Sequence, residues 1–148
     1  LKNFELTEVP FCGPIARNLY FKRNSASSCN DSLHKVDSLI YDRYHTVITD
    51  LTMSLKYDPG LMIEIEAHAS SGEINPKKLS ELRAQTIKDA LVANGINPKR
   101  LAIKGWGSTK LLVDDTTINK AKTKEEKLAL HTKNQRIYYR ITSWDFKE

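Results

Sequence analysis

Hydrophobic residues recur along the chain with two different periods, which predicts a mixture of helices and strands. Between positions 33 and 55 they return at steps of three and four, the spacing of one face of a helix. The segment LMIEIEAH, 61–68, alternates between hydrophobic and polar residues, as a strand with one buried face does. Residues 134–142, NQRIYYRIT, alternate in the same way. We therefore predict one long helix and two half-buried strands.

Further elements are predicted before and between these segments. Pro76 at a first helical position and Gly95 just past the last one bracket a second helix. Short strands are predicted at ARNLYF, 16–21, and LAIKG, 101–105, and a short helix at TKEEKLALH, 123–131. The resulting order is β, α, β, α, β, loop, β. It predicts an α+β fold, a two-layer βαβαβ-β sandwich whose mixed four-stranded sheet carries the helices on one face.

The composition is that of a single globular domain. The chain has 148 residues, of which 40% are hydrophobic and 28% charged. Residues 1–15 contain two prolines and no hydrophobic period, so we expect a linker or N-terminal arm there and the domain at 16–148. No hydrophobic run approaches the roughly 20 residues that span a bilayer. We expect no membrane insertion by this chain, which we interpret as part of a larger protein.

The charges favour neither a nucleic-acid partner nor an enzyme. The net charge is +5, but basic and acidic residues are interleaved, as in KTKEEK at 122–127, rather than gathered in a basic stripe. Glu64 and Glu66 are expected to pair with Arg136 and Arg140 across the sheet. The four histidines lack the spacing of metal ligands or of a catalytic pair. We therefore expect no cofactor and no bound metal.

Arg83 stands out in the second helix because it falls within the hydrophobic face. The remaining members of that predicted face are Leu79, Leu82, Thr86, Ile87, Ala90 and Leu91. A guanidinium placed there needs a partner, since burying a lone charge is costly. An internal salt bridge to Glu66 or Glu73, or a bond to a carbonyl at a helix end, is one way to supply it.

Four stretches together resemble the OmpA-like family of peptidoglycan-associated domains. They are IEIEAHASSG at 63–72, LSELRAQTIKDALVANGI at 79–96, LAIKGWG at 101–107 and NQRIYYRI at 134–141, with NLYFKRNSA at 18–26 matching more loosely. The resemblance implies a periplasmic domain that binds the cell wall, in a parent protein associated with the outer membrane. It implies no catalytic activity.

The resemblance also implies a ligand, the diaminopimelate residue of the peptidoglycan stem peptide. In the family an aspartate binds the ligand ammonium, and the arginine of the LSxxRA motif binds its carboxylate. Arg83 matches that arginine, whereas Ser70 stands where the family has its aspartate. Glu73, in the same shortened loop, is a candidate to replace the missing acid. The ligand-binding residues predicted in this way are Arg83, Ser70, Asn24, Glu73, Leu79 and Arg136.

Two points stay open at the level of sequence. Cys12 and Cys29 are either joined in a disulfide or present as two thiols, and the periplasmic location implied by the resemblance favours the disulfide. The departure at Ser70 also allows an alternative function. The domain would then have lost the ligand and serve as a protein-interaction module in an envelope complex, through the helix at 33–55 or the segment 122–131.

Overall fold

The structure is a computed structural model that describes Ala26 and residues 38–148, with side chains from Thr46 onward within the first helix. The helices are α1 (Ser38–Tyr57), α2 (Pro76–Ala93), α3 (Asp115–Lys120) and α4 (Lys124–Asn134). The strands are β1 (Met62–Ala67), β2 (Leu101–Gly105) and β3 (Ile137–Ser143), and a 3₁₀ turn at Pro98–Arg100 leads into β2. The predicted arm at 1–15, the predicted strand at 16–21, Asn24 and both cysteines lie outside the described residues.

The described strands form one mixed sheet in the order β2-β1-β3. The central strand β1 runs parallel to β2, with Ile65 opposite Ile103, and antiparallel to β3, with Ile65 opposite Tyr139. A parallel pair needs a crossover connection, and α2 supplies it. The predicted α+β class and mixed sheet are confirmed. The described part of the chain contains three of the four predicted strands, so the four-stranded sheet stays a prediction.

The alternation in β1 decides which face of the sheet is buried. Ile63, Ile65 and Ala67 are buried, while Glu64 and Glu66 on the opposite face are partly exposed. The buried face meets α1 and α2, and these three elements enclose the main core. That core includes Val47, Leu51 and Leu55 from α1, Ile63 and Ile65 from β1, and Ala84, Ile87 and Leu91 from α2. The two-layer arrangement follows from this single shared core.

Helix α2 is the element that carries Arg83, and its ends match the prediction. Pro76 occupies the first turn, and Gly95 follows the helix with φ 95°, a conformation that glycine adopts without strain. The predicted hydrophobic face was wrong in detail, because Leu82 is 46% exposed whereas Ser80 and Ala84 are buried. The cause is the close approach of β2. A Cβ atom added to Gly105 would lie 2.6 Å from the Ser80 hydroxyl oxygen and 2.6 Å from the Glu81 amide nitrogen, so only glycine fits at position 105.

The segment between β2 and β3 contains two short helices with well-formed N-termini. The Asp114 side chain accepts a bond from the Thr117 amide at the start of α3. At the start of α4, Thr123 and Glu126 form a reciprocal capping box. The short helix predicted at 123–131 is confirmed, although it continues to Asn134. Within residues 38–148, none of the helices has the length and apolar character required to cross a membrane.

Candidate functional site

The predicted ligand-binding residues that the structure describes lie at one edge of the sheet. Because β1 and β2 are parallel, the loops that follow them start side by side, and the antiparallel β3 begins at the same edge. Backbone bonds join the three segments: the His68 amide donates to the Arg136 carbonyl at 2.9 Å, and the Ala69 amide donates to the Gly107 carbonyl at 2.9 Å. The first turn of α2 completes this edge.

Arg83 forms a fully buried ion pair with Glu73. Both side chains have 0% exposure. The Arg83 Nη1 donates to Glu73 Oε2 at 2.8 Å, and Nη2 donates to the other carboxylate oxygen, so the contact is bidentate. Nη1 also donates to the His68 carbonyl at 3.1 Å. Of the internal partners considered from the sequence, Glu73 is therefore the one that the fold selects.

The Glu73 carboxylate also closes the loop in which it lies. Its Oε2 accepts a bond from the Ser70 amide at 2.8 Å, and the Glu73 amide donates to the Ser70 carbonyl at 3.1 Å. A carboxylate from three residues further on therefore lies against the backbone of position 70. The carboxylate reaches the backbone of Ser70 and the guanidinium of Arg83 at the same time.

Ser70 is itself fully buried and contacts α4. Its Oγ forms a hydrogen bond with Nδ1 of His131, which lies near the end of that helix. A serine beside a histidine is also the first pair of a nucleophilic triad, but the hydroxyl here has no exposure to a substrate. The contact therefore joins α4 to the loop. His131 carried no sequence signal for this role, because the two residues are 61 positions apart.

Leu79 and Arg136 lie at the same edge but differ in their surroundings. Leu79 is 8% exposed in the first turn of α2, one helical turn before Arg83. Arg136 is 4% exposed, and its Nη2 donates to the Lys110 carbonyl at 2.9 Å. The prediction that Arg136 pairs with Glu64 or Glu66 was wrong. Arg140 takes both acids instead, at 2.9 and 3.9 Å.

His68 is a buried neutral imidazole beside these cations. Burial, and then the charges of Arg136 and Lys110, lower the pKa of His68 from 6.5 to about 3. Its ring meets Tyr138 edge-on, with centroids 5.6 Å apart. Within the described part of the chain, its Nδ1 has no hydrogen-bond partner. The described residues also hold no group of three or more side chains suited to a metal ion.

Comparison with known proteins relates both the sequence and the fold to one family. The OmpA family model matches residues 38–125, a range that includes Ser70, Glu73 and Arg83. No curated protein matches the sequence.

Three solved structures with a similar fold illustrate the range of relatives. The peptidoglycan-associated lipoprotein from Burkholderia pseudomallei is 17% identical with a TM-score of 0.65, over 94% of this chain and 98% of that one. The C-terminal domain of Helicobacter pylori MotB is 16% identical with a TM-score of 0.60, over 84% and 83%. The OmpA-like domain of FopA1 from Francisella tularensis subsp. tularensis SCHU S4 is 21% identical with a TM-score of 0.51, over 88% and 72%. At these identities the likeness concerns the fold.

Proposed function

Because the chain belongs to the OmpA family, we propose that it is a non-catalytic domain that binds peptidoglycan and tethers a larger envelope protein to the cell wall. The ligand in this proposal is the diaminopimelate-containing stem peptide, and the location is the periplasm, next to the outer membrane that holds the parent protein. One relative of similar fold is a peptidoglycan-associated lipoprotein, which supports this class of ligand.

The observation that carries the proposal is the Arg83–Glu73 pair. The free end of diaminopimelate bears an ammonium and a carboxylate on one carbon atom, so it needs an anion and a cation held close together. Glu73 and Arg83 are such a pair, at the edge where the loops and the start of α2 meet. The bidentate contact with Glu73 also demonstrates that Arg83 can hold a carboxylate in the two-pronged geometry.

Binding in this proposal is an exchange of ion pairs. The ligand carboxylate takes the place of Glu73 on Arg83, and the displaced Glu73 accepts the ligand ammonium. Each buried charge then keeps an opposite charge beside it, which avoids the large cost of an unpaired buried ion. The loop can supply this movement because its other residues, Ser71, Gly72, Ile74 and Asn75, are exposed. In this exchange both residues are needed for binding.

Calorimetry with three soluble stem peptides tests this exchange. The first contains diaminopimelate, the second has lysine in its place and lacks the carboxylate, and the third has diaminopimelate with its free amine acetylated. We expect the first to bind and the other two to bind at least about tenfold more weakly, since a charged hydrogen bond contributes roughly 1.5–3 kcal/mol. Equal binding of all three peptides would contradict the exchange.

Variants of the pair separate binding from folding. Arg83→Lys keeps the charge but loses the two-pronged contact, so stem-peptide binding should fall sharply. Arg83→Ala leaves Glu73 buried without its partner and should lower the free energy of unfolding by about 3–5 kcal/mol. The double variant Arg83→Met, Glu73→Leu replaces the buried ion pair with hydrophobic side chains, so it should recover most of that stability. It should still not bind the stem peptide. Arg140→Ala is the matched control, because the Arg140 side chain is 59% exposed and its pair with Glu64 should contribute little.

A second candidate function is the protein-interaction module. The Arg83–Glu73 pair is compatible with this function, because a domain that had lost the ligand would still need an acid of its own to pair with the buried Arg83. Two large side chains on α1 offer a contact surface, with Met53 65% and Tyr57 64% exposed. A folded parent protein that neither binds the diaminopimelate peptide nor sediments with purified sacculi would favour this alternative over peptidoglycan binding.

A further inference from the structure

A second buried cation, Arg136, lies near the Arg83–Glu73 pair, with the backbone of His68 between them. Arg136 is buried, yet within the described residues its guanidinium has no carboxylate partner. It donates to two backbone carbonyls, those of Lys110 at 2.9 Å and Asn134 at 3.5 Å, and its Nε has no acceptor in this part of the chain. Buried cations normally have an opposite charge nearby, whereas this guanidinium has the two carbonyls and the Tyr138 ring, whose centroid lies 5.0 Å from its Cζ, and no acid among the described residues.

Lys110 adds a second positive charge at this position, and unlike Arg136 it is exposed. Its ammonium lies 3.6 Å from the centroid of the Trp106 ring, and that of Lys104 lies 4.4 Å from the same ring. The Lys110 carbonyl is one of the two that accept from the Arg136 guanidinium, so this guanidinium lies against the backbone of Lys110. Burial is the main cause of the lowered pKa of His68, and the charges of Arg136 and Lys110 lower it further.

The acids on this face of the sheet are already engaged. Glu64 and Glu66 both approach Arg140, at 2.9 and 3.9 Å. Glu66 also accepts the indole N–H of Trp106 at 2.8 Å. Neither forms an ion pair with Lys110 or Arg136 in the described part of the chain. The local excess of positive charge is therefore available to an anion from outside.

We propose that Lys110 and Arg136 form a second anion site, which takes a further carboxylate of the same peptide whose zwitterionic end binds at Arg83. Lys110 makes the contact from its exposed position, and the buried Arg136 strengthens the local field. This inference rests on the proposed function. The two sites adjoin through the backbone of His68: its carbonyl accepts from the Arg83 guanidinium at 3.1 Å, and its amide donates to the Arg136 backbone carbonyl at 2.9 Å.

The second site would recognise the C-terminal group of the residue that follows diaminopimelate in the stem peptide. A terminal carboxylate on the following residue is the group that the extra positive charge selects. Conversion of that carboxylate to an amide removes its charge without altering the diaminopimelate end. The site therefore predicts a preference for the free acid over the amide, and the preference depends on Lys110.

The test is calorimetry on the full chain with a diaminopimelate tetrapeptide, as its C-terminal acid and as its C-terminal amide. We expect the parent to bind the acid about tenfold more tightly, the factor that corresponds to one charge-assisted contact of roughly 1.4 kcal/mol. Lys110→Gln should abolish that preference and leave the affinity for the amide unchanged. Lys99→Gln is the control, since Lys99 is exposed in the 3₁₀ turn before β2 and should leave the preference intact.

The outcomes separate the two proposals. Equal binding of acid and amide by the parent would overturn the second site and leave peptidoglycan binding standing. An equal decrease in affinity for both peptides in Lys110→Gln would also overturn it, because Lys110 would then contribute to binding of the whole ligand and not of the terminal carboxylate. Binding of neither peptide would overturn the proposed function, and the second site with it. As an independent readout, the His68 ring resonances should shift more on binding of the acid than of the amide.

Discussion

At the scale of single residues, the domain places ionisable groups where burial strongly affects them. Arg83 and Glu73 are buried together, and each is the other's partner in a bidentate contact. Among the residues that the structure describes, His68 has no such partner of opposite charge. It is buried beside two cations, and its lowered pKa keeps the ring neutral near pH 7. The lowered pKa of His68 indicates that its surroundings at the sheet edge oppose added positive charge.

The state of His68 leads to a prediction about stability and pH. Its pKa of about 3 in the folded protein lies below its ordinary value of 6.5, so between these pH values only the unfolded chain takes up the proton. Stability should therefore fall as the pH is lowered through this window, by at most about 1.4 kcal/mol per pH unit from this group. Urea midpoints measured from pH 6.5 to 5 should decline less in His68→Gln than in the parent. A His68 ring that titrates near pH 6.5 by NMR would contradict the prediction.

At the scale of elements, one buried arginine joins the end of α1 to both neighbouring strands. Arg100, in the 3₁₀ turn before β2, donates to the carbonyls of Leu55 at 2.8 Å, Asp58 at 2.6 Å and Leu61 at 2.9 Å. The last carbonyls of a helix lack partners within the helix, so a donor from elsewhere must satisfy them. Arg100 thereby fixes how α1 turns into β1, and so the position of the central strand that leads to the site.

Replacement of Arg100 should consequently destabilise the domain without removing any contact of Arg83 or Glu73. Arg100→Leu leaves three buried carbonyls without this donor, and we expect the free energy of unfolding to fall by at least about 1–3 kcal/mol. Lys99→Leu, one residue earlier and exposed, should change it by less than about 0.5 kcal/mol. Urea denaturation of both variants measures the difference. Equal stability of the two variants would show that solvent satisfies these carbonyls.

At the scale of the whole molecule, the family assignment read from four sequence stretches is confirmed by the family match and the similar folds. The proposed periplasmic location is an oxidising compartment, which bears on the two cysteines. Cys12 and Cys29 lie outside the described residues, so their pairing stays a prediction.

The cysteine prediction can be tested on protein exported to the periplasm. We expect Cys12 and Cys29 to be oxidised to each other, with the bond adding roughly 3 kcal/mol to stability by the loop it closes. Thiol labelling of denatured, unreduced protein should then find no free thiol, and labelling after reduction should find both. Two reactive thiols before reduction would contradict the prediction. Cys12→Ser combined with Cys29→Ser gives the matched protein for measuring the effect on stability.

The sequence by itself determined the elements of the described part and their order. The two-residue alternation in 61–68 and 134–142 and the three-to-four-residue period in 33–55 are local properties, because a side chain's direction in a strand or helix repeats with the backbone. Pro76 and Gly95 marked the ends of α2 for an equally local reason, their backbone preferences. The special position of Arg83 was visible too, since a charged residue interrupts an otherwise hydrophobic face.

Only the tertiary structure decided which side chains meet. Arg83 selects Glu73 ten residues away, and Ser70 meets His131 across 61 residues, distances over which no periodic signal operates. The buried face of α2 includes Ser80, which Gly105 of β2 approaches closely, and does not include Leu82. That Arg136 has no acidic partner among residues 38–148 was likewise invisible in the sequence, because Arg140 and not Arg136 pairs with the acids of β1. Pairing of charges is set by packing geometry, whereas periodicity reports only which residues face inward.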